Sequence, residues 1–111
     1  FDQITTCSRA IVANKHGYRN VSKTVRVSIY GRVQGVGYRA WTEQRARQLG
    51  IDGWVRNRLD GSVEAVFSAD DSLLDRMLTD CQAGPSVAKV DRMVEQSCDA
   101  PETGFRILPT C

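Results

Sequence analysis

The sequence predicts a single α+β domain in which two helices cover one face of an antiparallel sheet. Segments with a two-residue apolar period alternate with segments of helical period in the order β-α-β-β-α-β. The 111 residues, 41% of them hydrophobic, supply one modest core and no more. This element order is that of the ferredoxin-like, or split βαβ, sandwich.

The first strand and the first helix flank a glycine-rich segment. Residues 25–29 alternate apolar and polar side chains, which predicts a half-buried strand that ends near Gly31. Apolar residues then recur at helical spacing over residues 38–49, and Gly50 stands where a left-handed C-cap is expected. The glycine-rich segment therefore joins the end of a strand to the start of a helix.

A hairpin follows the first helix. Two strand-like runs, 51–58 and 62–67, flank the Asp-Gly dipeptide at 60–61, a pair that favours a tight reversal between strands. Trp41 in the helix and Trp54 in the first of these runs fall on the phase that we assign to the interior, so we expect both in the core.

The last part of the domain repeats the helix and strand pattern. Asp70 or Asp71 can cap a second amphipathic helix, which Gly84 and the proline after it should end. We predict a fourth strand over 87–95 and a short final strand over 105–108. The folded domain is therefore expected to span residues 24–109.

Residues 1–23 differ from the rest of the chain. They combine one acid with several bases and hydroxyls and show no sustained period, which predicts a flexible extension. This composition also resembles an organelle transit peptide, but a disordered arm fits better. No apolar run near the N-terminus is long enough for a signal peptide or a membrane span, so we expect a cytoplasmic protein without a membrane partner.

Charge and metal-ligand chemistry narrow the functional classes. The net charge is +2 and both signs are interspersed, so no basic stripe suggests a nucleic-acid partner. The four cysteines, Cys7, Cys81, Cys98 and Cys111, lie far apart, and His16 is the only histidine to join them. A zinc site, a disulfide framework and a histidine-based triad are therefore disfavoured.

The glycine-rich segment, GRVQGVGYR at residues 31–39, has the composition of an oxyanion cradle. Backbone N–H groups at a helix start have no intrahelical partner, and Arg39 adds a guanidinium there. A surface arginine paired with a nearby acid is the alternative interpretation, and Asn57, near the hairpin tip, is equally ambiguous alone. Residues 35–40 also fit a dinucleotide fingerprint, which the following hairpin disfavours.

Two segments together resemble the acylphosphatase family. GRVQGVGYR at 31–39 and GWVRNRLDGSVE at 53–64 are similar to the family patterns GxVQGVxFR and GxVxNxxDGxVE. The chain departs from them by Tyr38 in place of phenylalanine and by Gly37 at a position that varies. The similarity extends over roughly residues 23–108.

The resemblance implies a ferredoxin-like enzyme that hydrolyses the carboxyl-phosphate bond of small acyl phosphates without a metal or organic cofactor. By position, Arg39 would hold the phosphate and Asn57 would orient the attacking water. The loop amides that would complete the phosphate site belong to Val33, Gln34, Gly35, Val36 and Gly37. We expect a monomer with a small-molecule acyl phosphate as its partner.

Two alternative functions remain open at this point. The same element order serves RNA-binding and ligand-binding regulatory domains, although neither predicted central strand carries the aromatic pattern of an RNA-recognition sheet. Acylphosphatase-like domains also occur within larger proteins that handle carbamoyl phosphate.

Overall fold

A computed structural model describes the backbone at residues 9–13 and 19–111. Its elements, in chain order, are β1 (Arg9–Ala13), β2 (Arg19–Arg32), α1 (Tyr38–Leu49), β3 (Asp52–Asn57), β4 (Val63–Ala69), α2 (Asp71–Ala83), β5 (Lys89–Ser97) and β6 (Phe105–Ile107). The predicted ferredoxin-like arrangement is confirmed. No helix among the described residues is both long and apolar enough to cross a membrane.

The sheet is built around β2. Strand β4 pairs with one side of β2 and β3 lies beyond β4, whereas β5 pairs with the other side of β2. Strand β1 continues the β5 side, because Lys23 pairs with Arg9 in β1 and with Ala69 in β4.

The predicted antiparallel pairing holds for the described strands with one exception, which makes the sheet mixed. Strand β6 runs parallel to β3 at the edge opposite β5. Strand β5 ends at the end of the sheet where β3 begins, so the connection over residues 98–104 crosses that end and β6 must run in the direction of β3.

Strand structure extends into the segment for which we predicted a flexible extension. Strand β2 begins at Arg19 rather than at Thr24, and β1 pairs with its first residues. Strand pairing uses backbone hydrogen bonds, which form with any side chains except proline. Because residues 9–23 lack an alternating apolar pattern, the sequence did not predict this pairing. Residues 1–8 and 14–18 of the predicted extension, with Cys7 and His16, lie outside the described residues.

The core lies between the sheet and the two helices. Thr42 is buried within it, although it is polar, because its hydroxyl donates to the Tyr38 carbonyl at 2.8 Å. The fully buried apolar side chains of the sheet and helices include Val27, Ile29, Val55, Ala65, Phe67, Tyr38, Ala46, Met77 and Cys81. Burial raises the pKa of the Cys81 thiol to about 12, so this thiol stays neutral.

The two tryptophans differ from the prediction. Trp41 is only partly buried and packs on the edge of the core, with its ring centroid 5.5 Å from that of Tyr38. Trp54 lies on the opposite face of the sheet from Val55, and the Arg56 guanidinium stacks 4.8 Å from its ring centroid. The β3 alternation was therefore assigned with the wrong phase at Trp54.

Three of the helix ends lie at the residues that the sequence predicted. Asp70 caps α2 and accepts a hydrogen bond from the Leu73 N–H at 3.0 Å, and Gly84 ends that helix. Helix α1 ends at Gly50 in the left-handed conformation. Its N-cap is Gly37, which has no side chain to satisfy the first N–H groups of the helix.

The face of the sheet away from the helices carries a buried carboxylate, Glu64, whose side chain is 3% exposed. Arg56 Nε donates to Glu64 Oε1 at 2.8 Å. Arg26 and Arg58 place guanidinium nitrogens 3.6 and 4.0 Å from Glu64 Oε2. We call these four residues the Glu64 cluster.

Candidate active site

A cavity of about 290 Å³ lies where β2, α1, β3 and β6 meet. Its lining includes five residues that we predicted for the site and that come from two separate motifs: Val33, Gly35, Gly37, Arg39 and Asn57. The other lining residues are Tyr38, Ala40 and Ile107. The structure thus brings the glycine loop and the end of β3 to one place.

The loop between β2 and α1 presents unused backbone donors. Gly35 and Gly37 have φ angles of 77° and 82°, a region that other residues rarely adopt. Within the described chain, no hydrogen bond is donated by the N–H groups of Gly35, Val36 or Gly37. Left-handed glycines therefore fold the chain into a turn whose amides remain available at the start of α1.

Arg39 is the second residue of α1 and is partly buried against the cavity. It makes no hydrogen bond or ion pair with any residue in the described part of the chain. The alternative of a surface arginine paired with an acid is therefore not what the structure shows. A guanidinium at the positive end of a helix, beside unused amides, suits an oxyanion.

Asn57 is the last residue of β3 and faces the same cavity. Its side-chain Oδ1 is buried and has no hydrogen-bond partner. Buried polar atoms in folded proteins are nearly always paired, because an unpaired one costs roughly 1–3 kcal/mol. The Oδ1 of Asn57 is therefore available as an acceptor in the cavity.

The Gln34 side chain connects the glycine loop to the hairpin between β3 and β4. The sequence predicted only a backbone role for Gln34. Its Nε2 donates to the carbonyls of Arg58 and Ser62, each at 2.8 Å. The hairpin turn is closed in addition by Asp60, whose Oδ1 accepts from the Ser62 N–H and hydroxyl. These hydrogen bonds hold the pKa of Asp60 below its usual value.

Tyr38 and Ile107 are cavity residues that sequence reasoning did not assign to the site. The Tyr38 hydroxyl donates to the buried Cys81 carbonyl at 2.6 Å, and burial raises the pKa of this phenol far above its usual value. Ile107 is 38% exposed and shares the phase of buried Phe105 in β6. The alternation in β6 could have predicted that Ile107 lies on the same face as Phe105. It could not have predicted that Ile107 lies beside the loop between β2 and α1.

The charge in the cavity comes from one side chain. Arg39 is the only charged residue that lines it among the residues that the structure covers. In the same residues, no group of three or more His, Cys, Asp or Glu side chains could hold a metal ion. The cavity combines one cation, unused loop amides and one buried acceptor, on a ferredoxin-like domain. These features give the domain a cavity that suits an oxyanion.

Comparison with known proteins gives the family. The acylphosphatase family model matches residues 25–107. An acylphosphatase of Azorhizobium caulinodans is 46% identical over 92 residues, which cover 81% of this chain and 99% of that protein. The chain belongs to the acylphosphatase family.

Solved structures agree with this placement. The crystal structure of acylphosphatase from Bacillus subtilis superimposes with a TM-score of 0.72 at 30% identity, covering 77% of this chain and 97% of that one. Full-length HypF superimposes with a TM-score of 0.73 at 20% identity, covering 80% of this chain and only 12% of that protein, which shows the fold alone. The predicted family and enzyme class are confirmed, and the protein is an acylphosphatase-type hydrolase.

Proposed function

We propose that this protein hydrolyses small acyl phosphates to a carboxylate and inorganic phosphate through a metal-independent attack of water. In this proposal Arg39 and the loop amides of residues 33–37 bind the phosphoryl group, and Asn57 positions the water. The observation that supports it most directly is the pairing, in one cavity, of an arginine without a partner and a buried acceptor without a partner.

The phosphoryl group fits the loop end of the cavity. Its oxygens carry the negative charge that Arg39 and the N–H groups of Gly35 and Gly37 would neutralise. These donors are fixed by the helix start and by the left-handed glycines, so they need little rearrangement when charge develops. In this proposal Arg39 and the loop amides supply the positive charge that a metal ion supplies in some other phosphoryl-transfer enzymes.

The water fits the β3 end of the cavity. Asn57 Oδ1 can accept one hydrogen of a water molecule and leave an oxygen lone pair directed at phosphorus. Water attacks phosphorus, the bond from phosphorus to the acyl oxygen breaks, and the carboxylate leaves with the electron pair. The departing carboxylate needs almost no protonation, and a phosphoryl oxygen can take the proton of the water.

The test is hydrolysis of benzoyl phosphate by the purified protein, with and without EDTA. We expect full activity with the chelator, and near loss of activity in Arg39→Gln and in Asn57→Ala. Arg56→Gln, which removes an arginine outside the cavity, is the matched control and should stay active. Loss of activity with EDTA would contradict metal independence. Full activity of both cavity variants would contradict the assigned roles.

A further inference from the structure

We propose that the outer face of the sheet, which is the face away from the two helices, binds a single-stranded nucleic acid. None of the side chains that carry this inference lines the cavity with Arg39 and Asn57. The interspersed charges of the sequence predict no nucleic-acid partner. The fold changes that expectation, because alternation along the strands brings basic side chains that are distant in sequence to one face.

Five arginines lie on the outer face. Three of them surround Glu64 in the Glu64 cluster. A fourth stacks on the ring of Tyr30, which follows the fully buried Ile29 in β2. The fifth follows the buried Phe105 in β6 and therefore points to the opposite face. In chain order the five are Arg26, Arg56, Arg58, Arg92 and Arg106.

Carboxylates neutralise only part of this charge. Glu64 is one buried carboxylate shared by three guanidinium groups, so two positive charges of the cluster remain. Arg106 pairs with Glu102 at 3.2 Å, but both side chains are exposed, which makes this pair weak. Arg92 has no ion pair with any residue that the structure describes. The outer face should therefore attract a polyanion.

Aromatic side chains on the same face favour a nucleic acid over other polyanions. The Arg92 guanidinium lies 4.2 Å from the ring centroid of Tyr30. Trp54 and Arg106, which are paired in register, line a second cavity of about 240 Å³. A base can stack on the part of the Trp54 ring that lines this cavity while its phosphate contacts Arg106. An acidic peptide or an anionic membrane has no regular series of planar rings to use such a cavity.

The width of the surface fits a short single strand. The arginines extend across neighbouring strands in the order β6, β3, β4, β2 and β5. Four steps between strands, each about 4.8 Å, give a width of about 19 Å. We therefore expect a site near the lower end of the roughly 4–16 nucleotides that small single-strand-binding domains cover.

Fluorescence anisotropy with a labelled oligouridine of about 12 nucleotides tests the proposal. We expect saturable binding by the unmodified protein that weakens as salt is raised. Arg92→Glu and Arg106→Glu should each weaken binding about tenfold and reduce its salt dependence. Trp54→Leu should weaken binding of oligouridine about tenfold with the salt dependence unchanged. It should not weaken binding of a strand of the same length without bases.

Arg76→Glu is the matched control, because Arg76 is an exposed arginine of α2 on the helix side of the sheet. This variant and Arg39→Gln should bind oligouridine as the unmodified protein does. Arg92→Glu and Arg106→Glu should keep the thermal midpoint and the rate of benzoyl phosphate hydrolysis.

Three results would overturn the proposal. The first is no binding by the unmodified protein, and the second is an equal loss of binding in Arg76→Glu or Arg39→Gln. The third is equally tight binding of polyglutamate or of the strand without bases, which would show a general polyanion surface. Because hydrolysis is measured separately, each of these results leaves the proposed function intact.

Discussion

The chain uses arginine in two contrasting regions. In the Glu64 cluster, three arginines surround one buried carboxylate on the outer face of the sheet. At the start of α1, Arg39 lines a cavity and has no partner among the described residues. A partner offsets the loss of hydration of a buried guanidinium, so the arginine without a partner is the position where we expect a ligand to bind.

The difference assigns separate duties to similar side chains. Substitutions in the Glu64 cluster should change the free energy of unfolding and leave catalysis nearly intact, because none of its four side chains lines the cavity. Substitution of Arg39 should do the reverse, because no internal contact depends on it. The following predictions test this separation.

The largest effect is expected for Arg39→Gln on hydrolysis. Loss of a fixed donor to a charged transition state costs on the order of a hundredfold or more in rate, about 3 kcal/mol. We expect kcat to fall by at least that factor, while the free energy of unfolding, measured in urea, changes by less than about 0.5 kcal/mol. A strongly destabilised variant would show that Arg39 has a structural role.

Inorganic phosphate should stabilise the protein through Arg39. A ligand that binds only the folded state adds about 2.7 kcal/mol at a hundredfold excess over its Kd. We expect thermal unfolding to shift upward with phosphate in the unmodified protein and in Arg56→Gln, but not in Arg39→Gln. An equal shift in all three proteins would place the phosphate outside the cavity.

Glu64→Gln should destabilise the fold and spare activity. It removes the charge that three arginines share, and hydrogen bonds to charged groups contribute about 1.5–3 kcal/mol. The arginines keep partial solvent contact, so we expect a loss near the lower end of that range. Denaturant unfolding gives the loss, and kcat with benzoyl phosphate serves as the internal control.

The smallest effect is expected for Arg56→Gln. The side chain is 29% exposed, and two other arginines of the cluster remain beside Glu64. Partly exposed ion pairs contribute about 0–1 kcal/mol, so we expect a loss within that range in urea unfolding. A loss as large as that of Glu64→Gln would show that Arg56 alone carries the cluster.

The sequence predicted those elements that local chemistry determines. The Asp70 cap, the Gly50 end of α1 and the β3–β4 hairpin follow from side-chain hydrogen bonding and from turn residues, which act over a few positions. The direction of β6 and the pairing of β1 depend on which strand edges are free. The free edges depend on how the whole sheet is assembled, so the sequences of residues 9–13 and 105–107 alone do not predict these two pairings.

The candidate site was predictable to the extent that its residues lie within two motifs. Arg39 and Asn57 stand in those motifs, and the structure places both at one cavity. Gln34 was expected only through its backbone, because no local pattern shows that its side chain reaches two carbonyls across the hairpin. Ile107 comes from the last strand, about fifty residues after Asn57, so its proximity is a product of the fold alone.

The phenol of Tyr38 links parts of the molecule that are distant in sequence. It connects the first residue of α1 to the last turn of α2 through the Cys81 carbonyl. Gly84 lies against the same ring, so a side chain there would meet it. Helix ends normally fray, and amide hydrogens there exchange fast. Here the turn that carries Arg39 cannot open without breaking a contact with α2. The Trp41 N–H, which donates to the Gly37 carbonyl at 3.0 Å, should therefore exchange more slowly than the corresponding N–H at an ordinary helix start.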